Sequence, residues 1–388
     1  MRADAVQTGP ATDPHCALAL LRAAPPERER RSPAWNSLSD AVAARARLFR
    51  LSMLAYVALL IAAIFGGLML GSVSIPAGTV LRVLANAALG DGWIEPDWRA
   101  AHEIIVLQTR LPRVILAAVV GAGLGVAGMV IQALVRNPLA GPSILGVSSG
   151  AAVGAVLTMR FGLTAFGVFT LHLSAFLGGL VTLALVFWVA RTGGQIAPTR
   201  LILAGVATSA VLSAFTALMV LTSPDPQLAA RVLFWTLGGF ASAQWALLPI
   251  PVAALCLGLG VLLLQARRLN LLLAGDESAA ALGVDIDRFR RSMFVLTAAI
   301  TGVTVAVAGV IGFVGLILPH IVRLMLGADH RVGLPSVAVL GAGFTVGADL
   351  VARWIIAPLE LPVGIITALV GGPFFIWLLR REAWRMRG

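Results

Sequence analysis

The chain has 388 residues, of which 59% are hydrophobic and 12% charged, and a formal net charge of +11. A soluble domain carries about 25% charged residues, and a fold of this length cannot hide so much apolar surface from water, so the surplus faces lipid. All 29 basic residues are arginine, and the missing lysine excludes a Walker A loop, hence ATP hydrolysis by that route, and any Schiff-base chemistry.

Residues 1–48 read as an unstructured cytoplasmic tail, rich in Ala, Pro and Arg, with a charged knot at Glu27–Arg31 and no apolar period. No apolar core stands near residue 10, where a secretory leader would carry it. About 20 apolar residues cross the hydrocarbon core. Runs of that kind fall at 49–71, 113–135, 146–166, 171–190, 200–222, 243–264, 291–309, 311–325, 334–356 and 362–380, which predicts ten spans. Two further helices, at 76–90 and 226–235, are too short or too mixed to cross. Residues 382–388 form a C-terminal tail.

Arginine placement tests that count. With the N-terminus inside, the inside loops and the C-terminal tail hold seventeen arginines against seven outside, before adding five in the far N-terminal tail. The positive-inside rule thus supports ten spans with both termini cytoplasmic. An internal repeat is visible at an offset of 181: residues 121–146 align without gaps on 302–327, with seven of 26 positions identical. The copies lie five crossings apart and enter the membrane from opposite sides, an inverted repeat typical of transporters.

Small residues recur at helical spacing at Gly121 and Gly125, at Gly146, Gly150 and Gly154, and at Gly343 and Gly347, where they let helix backbones approach closely in lipid. Ionisable residues within spans mark ion coupling, and here Asp349 is nearly alone, with Arg353 one turn on as an i,i+4 partner. His15 and His102 fall in exposed segments and His172 at a span entrance. No Ser/His/Asp set, HExxH or buried carboxylate pair is present, so a catalytic role is not expected. Cys16 and Cys256 stand far apart and propose neither a disulfide nor a metal site.

The inside loop 265–291 is different. Its middle, Leu271 to Val284, reads as two short amphipathic helices around Gly275 and Gly283, with Asp276 and Glu277 placed to cap the second. A solvated connector does not need Leu271, Leu272, Leu273, Ala279, Ala280 and Leu282, whereas a docking surface for a soluble subunit does.

The runs RLPR (Arg110–Arg113), QALVRNPLAGPSILGVSSGAAVG (Gln132–Gly154), LILAGVA (Leu201–Ala207), LAGDESAAALGV (Leu273–Val284), GFVGLILPHIVR (Gly312–Arg323) and ELPVGIITALVGGPFFIWLL (Glu360–Leu379) resemble the iron-chelate permeases of bacterial ABC importers, a family that also carries haem and cobalamin. The resemblance spans about residues 50–381. It implies an all-α, type II importer permease of the bacterial inner membrane with ten helices per subunit, paired as a homodimer or with a similar half. It also implies two cytoplasmic ATPase subunits that bind ATP and magnesium, and an extracytoplasmic binding protein; the chain itself would bind no cofactor, no metal and no nucleic acid. By resemblance, Asp276, Glu277, Ala281, Leu282 and Gly283 contact the ATPase, and Arg110, Arg113 and Arg353 meet acidic residues of the binding protein. Asn137 and Leu139 resemble one cytoplasmic constriction of the pathway and Pro198 and Thr199 a second, where relatives carry Ser or Thr and Pro198 departs from the pattern. The fifth span and the short helix after it would line the route, with Gln227 and Arg231 as polar handles for an anionic chelate.

The expectation is therefore a permease subunit that moves an iron complex, a siderophore or haem, into the cytoplasm. Cobalamin is the alternative cargo. An ion-coupled carrier is a further alternative, disfavoured by the scarcity of intramembrane acids.

Overall fold

The computed structural model describes residues 33–90, 95–192, 195–196 and 198–385. Among them the chain is helical apart from loops and one pair of two-residue strands. Helix α1 (Pro33–Met69) begins inside the stretch expected to be an unstructured tail. The run DAVAARARLF favours helix, since Ala, Leu and Arg have high propensity, and a proline is tolerated at a helix start. Residues 1–32, including Cys16 and His15, lie outside the described residues. Residues up to 48 form one unit and residues 49–388 a second, which holds all the other helices.

Helix α2 (Ala77–Leu89) matches the expected short helix. Helix α3 (Ala100–Ile104) passes through a π-helical stretch, Ile105–Arg110, into α4 (Leu111–Val135). Together they make one 36-residue apolar segment, which starts 13 residues before the expected span. The widened turn ends just before Pro112, which has no N–H to return to the preceding turn. Then come α5 (Val147–Phe161), α6 (Phe169–Ala190), α7 (Pro198–Leu221) and α8 (Leu228–Leu237). A hairpin pairing Arg191 with Ile196 joins α6 to α7, and no strand pattern in the sequence announces it. The remaining helices are α9 (Pro249–Leu264), α10 (Ala266–Leu273), α11 (Asp276–Ala281), α12 (Ile286–Ala308), α13 (Val314–Leu326), α14 (His330–Trp354) and α15 (Val363–Arg385). The last runs into the segment read as a C-terminal tail.

Among the described residues, seven helical segments are long and apolar enough to cross a membrane. Three of the ten expected spans, those of α5, α13 and α15, correspond to shorter apolar helices. The segment containing α4 is buried along most of its length and packs against α14, α12 and α13, whereas α7 is mostly exposed. An apolar helix exposed in this way has to meet lipid or another protein surface.

Close backbone approach builds the α4–α14 seam. A β-carbon on Gly121 would lie 2.2 Å from the carbonyl oxygen of Gly341, and the Thr345 hydroxyl lies 2.9 Å from the Ala117 carbonyl across the same contact. Gly150 similarly meets the Gly178 backbone where α5 crosses α6. Of the expected small-residue faces, Gly347 is the exception: among the described residues, no atom beyond its own helix lies within 4 Å of where its β-carbon would be. The two repeat copies also part locally. Residues 121–135 are continuous helix, but the second copy breaks over Gly309–Phe313, where Gly309 and Phe313 take φ of 71° and 67°. A β-carbon on Gly309 would meet the Trp235 carbonyl oxygen at 2.1 Å, so the turn needs glycine on two counts.

Candidate functional site

At one end of the bundle, three arginines face each other. Arg113, in the first turn of α4, places Nη2 2.9 Å and Nε 3.1 Å from the Asp349 carboxylate on α14, and Nη1 2.7 Å from Glu360 Oε2. Arg353 Nε lies 3.0 Å from Asp349 Oδ2, which it shares with Arg113 Nε, as the i,i+4 spacing predicts. Arg353 also donates to the carbonyls of Gly67 (3.1 Å) and Leu70 (3.3 Å), and Arg110 to those of Leu68 (2.7 Å), Met69 (3.0 Å) and Val73. These are the carbonyls at and just beyond the end of α1, which have no partner within the helix, so two guanidiniums complete its C-terminus. Asp349 is 1% exposed and the three arginines are buried. Arg110 and Arg113 were expected as exposed loop charges; both instead lie in the helical segment with partners inside the chain, because a guanidinium at this depth must be neutralised or hydrogen-bonded. Three positive groups against two carboxylates leave one positive charge in excess. Arg113 and Glu360 border a cavity of about 410 Å3 with His172, Ser242 and Gln244. His172 Nδ1 lies 2.9 Å from the Ala306 carbonyl and also borders an apolar cavity of about 590 Å3 lined by Phe166, Phe169 and Phe176.

At the other end, the loop 265–291 forms two short helices, α10 and α11, separated by Gly275 at φ 119° and closed by Gly283 at φ 81°; α11 falls within the expected 271–284, whereas α10 starts five residues before it. Leu269, Leu272 and Ala279 are buried, while Glu277, Ala281, Leu282 and Gly283 point outward, with Leu282 67% exposed. Asp276 does not cap α11 as expected. Its carboxylate takes Arg290 Nη2 at 3.0 Å and Arg136 Nη2, because two guanidiniums outcompete a neutral N–H for an anionic oxygen.

The constriction expected at Asn137 and Leu139 is a tight turn: Asn137 Oδ1 accepts from the Leu139 N–H at 2.9 Å. Leu139 lines a cavity of about 310 Å3 together with Ser143, Thr301, Phe313 and Leu316. Pro198 opens α7 and Thr199 is exposed beside it. Arg231 pairs with Asp225, and the Gln227 N–H donates to the same carboxylate at 2.9 Å; the Gln227 backbone N–H and the Arg231 guanidinium together hold the Asp225 carboxyl below its ordinary range. Arg231, the cationic handle, thus already carries an acidic partner, Asp225, just before its own helix. Among the described residues no group of three His, Cys, Asp or Glu side chains converges on a metal position.

Sequence reasoning missed Glu360, Arg136, Arg290 and Asn270. Arg136, Arg290 and Glu360 border apolar runs and Asn270 lies within the amphipathic ARRLNLLL, and none of them shows a partner until the helices are assembled.

Residues 59–381 match the family model described as the FecCD transport family. The chain is 41% identical over 329 residues to the hemin transport system permease protein HmuU of Yersinia pestis, covering 84% of this chain and 93% of that one. It is 45% identical over 278 residues to the cobalamin import system permease protein BtuC of Halobacterium salinarum, covering 72% and 74%. A solved structure described as an inward-facing conformation of a metal-chelate type ABC transporter superposes with a TM-score of 0.73 at 33% identity, over 85% of this chain and 98% of that one.

Proposed function

The chain belongs to the FecCD transport family, and from that premise we propose that this ABC importer permease moves an iron complex, a siderophore or haem, into the cytoplasm. The 41% identity to a hemin permease over 84% of the chain carries this reading. Cobalamin is the second reading, favoured by the 45% identity to a cobalamin permease over a shorter stretch. The protein acts as a transport subunit, and ATP hydrolysis belongs to a separate subunit.

In this reading ten helices cross the membrane with both termini cytoplasmic. The three shorter apolar helices complete the count, and the arginine asymmetry and the 121–146 and 302–327 similarity support it. The outward apolar face of α7 meets a second permease subunit across the route, with α8 beside it. The exposed Glu277, Ala281, Leu282 and Gly283 seat an ATPase subunit. The Asn137–Leu139 turn and the Pro198–Thr199 start of α7 act as constrictions, and Gln227 and Arg231 flank the route. The binding protein docks at the end that carries Arg110, Arg113 and Arg353. Because these side chains are buried, they act on docking by holding the shape of that surface more than by direct pairing.

The cargo is tested by titrating the cognate binding protein with haem, a ferric hydroxamate and cobalamin, then measuring ATP-dependent uptake of each by vesicles holding the assembled transporter. Tight binding and uptake of haem or the ferric chelate, with cobalamin inert, is the expected result. Uptake of cobalamin alone establishes the second reading, and gradient-driven uptake without ATP refutes both.

A further inference from the structure

The helix pair α10–α11 is tied to three spanning helices by side chains. On α10, Asn270 donates to Asp329 Oδ1 at 2.7 Å and its own Oδ1 lies 2.9 Å from the His330 backbone N–H and 2.7 Å from the His330 ring, which fastens the pair to the start of α14. On α11, the Asp276 carboxylate holds Arg290 of α12 and Arg136 at the end of α4. Arg136 Nε also donates to the Leu272 carbonyl at 3.2 Å.

Asp276, partly exposed, turns its carboxylate to Arg136 and Arg290, while Glu277, Ala281 and Leu282 are exposed. Helix α11 is six residues long with a positive-φ glycine at each end, and Ala279 is its one buried residue. Ala279 anchors it in the core, and the two ion pairs of Asp276 are its side-chain bonds to α4 and α12. Arg136 is also unusual: among the described residues it is one of two non-glycine residues with positive φ, at 53°, and it directly precedes Asn137. The next turn is closed by the Asn137 side chain on the Leu139 N–H, and Leu139 lines the cavity shared with Phe313. Bonded contacts thus run without a gap from the outward face of α11, through Asp276 and Arg136, to the turn at residues 137–139.

We propose that Asp276 is a positioning residue that latches the cytoplasmic helix pair to α4 and α12, so that displacement of the pair by the ATPase is delivered to the Asn137–Leu139 turn, and that it is not itself an ATPase contact. The proposal rests on the importer reading above. Asp276 and Arg136 have side-chain exposures of 43% and 39% while Arg290 is 9% exposed, so the Arg136 arm of the latch can loosen while the buried Arg290 keeps the carboxylate.

The experiment uses the complete transporter in vesicles, with three readouts: ATPase subunit co-purified, ATP hydrolysed, and haem, ferric hydroxamate or cobalamin imported per ATP, whichever the binding protein takes. Asp276→Asn keeps the ATPase bound and hydrolysing, while import per ATP falls about tenfold or more, within the range of measured coupling energies. Asp276→Glu restores import. Leu282→Arg, on the outward face, loses the ATPase. If Asp276→Asn loses the ATPase as Leu282→Arg does, Asp276 is a contact and the latch is wrong; if it imports normally, the latch is idle. Should Asp276→Asn not accumulate in the membrane, Arg136→Gln carries the test, because Arg290 still neutralises the carboxylate. The same loss of import per ATP is then expected, and wild-type import overturns the proposal. Wild-type vesicles that import without ATP refute the importer reading instead, an outcome distinct from failure of the latch.

Discussion

Two ionic clusters sit at opposite ends of this bundle and are built from the same parts, arginines from different helices on one aspartate. At the α1 end, Asp349 and Arg113 have side chains 1% and 8% exposed, and every guanidinium has a further carbonyl or carboxylate partner. At the α11 end, Asp276 and Arg136 are 43% and 39% exposed, and only the third member, Arg290, is as buried as Arg113. Burial decides what each cluster can do. A dry cluster cannot lose a partner cheaply and so fixes helix ends in place. A wet one contributes little to stability but can rearrange, which suits a joint that has to move.

The largest expected effect comes from breaking the dry cluster. Asp349→Ala leaves Arg113 and Arg353 buried without their carboxylate and should cost about 3–5 kcal/mol, read as a lower unfolding midpoint in detergent or as loss of membrane accumulation. A cost near zero would erase the distinction between the two ends. Next, Gly121→Ala drives a β-carbon into the Gly341 carbonyl on the seam that carries Arg113 and Asp349, and should cost about 1–3 kcal/mol in the same unfolding measurement. Arg136→Gln in the wet cluster should change unfolding by no more than about 1 kcal/mol, and raised salt should shrink even that difference. A larger, salt-insensitive loss would mean that the inner cluster is as structural as the outer one.

The smallest effect concerns pH. The Arg331 guanidinium, with help from the Arg331 N–H and Asn270, holds the Asp329 carboxyl well below the usual carboxylate range. Its folded value lies below its unfolded one, so the stability it adds is present in full above the ordinary value and fades only as pH falls through the folded one. The protection that Asp329 gives the first turn of α14, read by hydrogen exchange as the difference between wild type and Asp329→Asn so that the neighbouring His330 cancels, should therefore be the same at pH 7 and at about pH 5. Protection already lost at the lower pH would show that Asp329 is not held in this way.

Helices α6, α9 and α12 were legible in the sequence because lipid imposes a simple rule: a crossing helix needs a long apolar run, and arginines mark its inner end. The short helices at 77–89 and 228–237 were legible too, as apolar pieces bounded by Gly and Pro. The 36-residue segment from Ala100 was not, because Arg110 and Arg113 read as loop charges until Asp349, Glu360 and the carbonyls of α1 stood beside them. Asp349 with Arg353 could be paired from spacing alone, being one turn apart on one helix.

The lysine-free, arginine-rich, apolar composition and the blocks RLPR and LAGDESAAALGV are properties of the chain itself. They determined that it lives in the membrane, that it carries no P-loop, and which residues of the inner loop are amphipathic. Only the tertiary structure decided which way Asp276 turns and which arginines share which carboxylate. Periodicity is a local property, set by 3.6 residues per turn, while Arg113 and Asp349 are 236 positions apart and meet because glycine lets α4 and α14 touch.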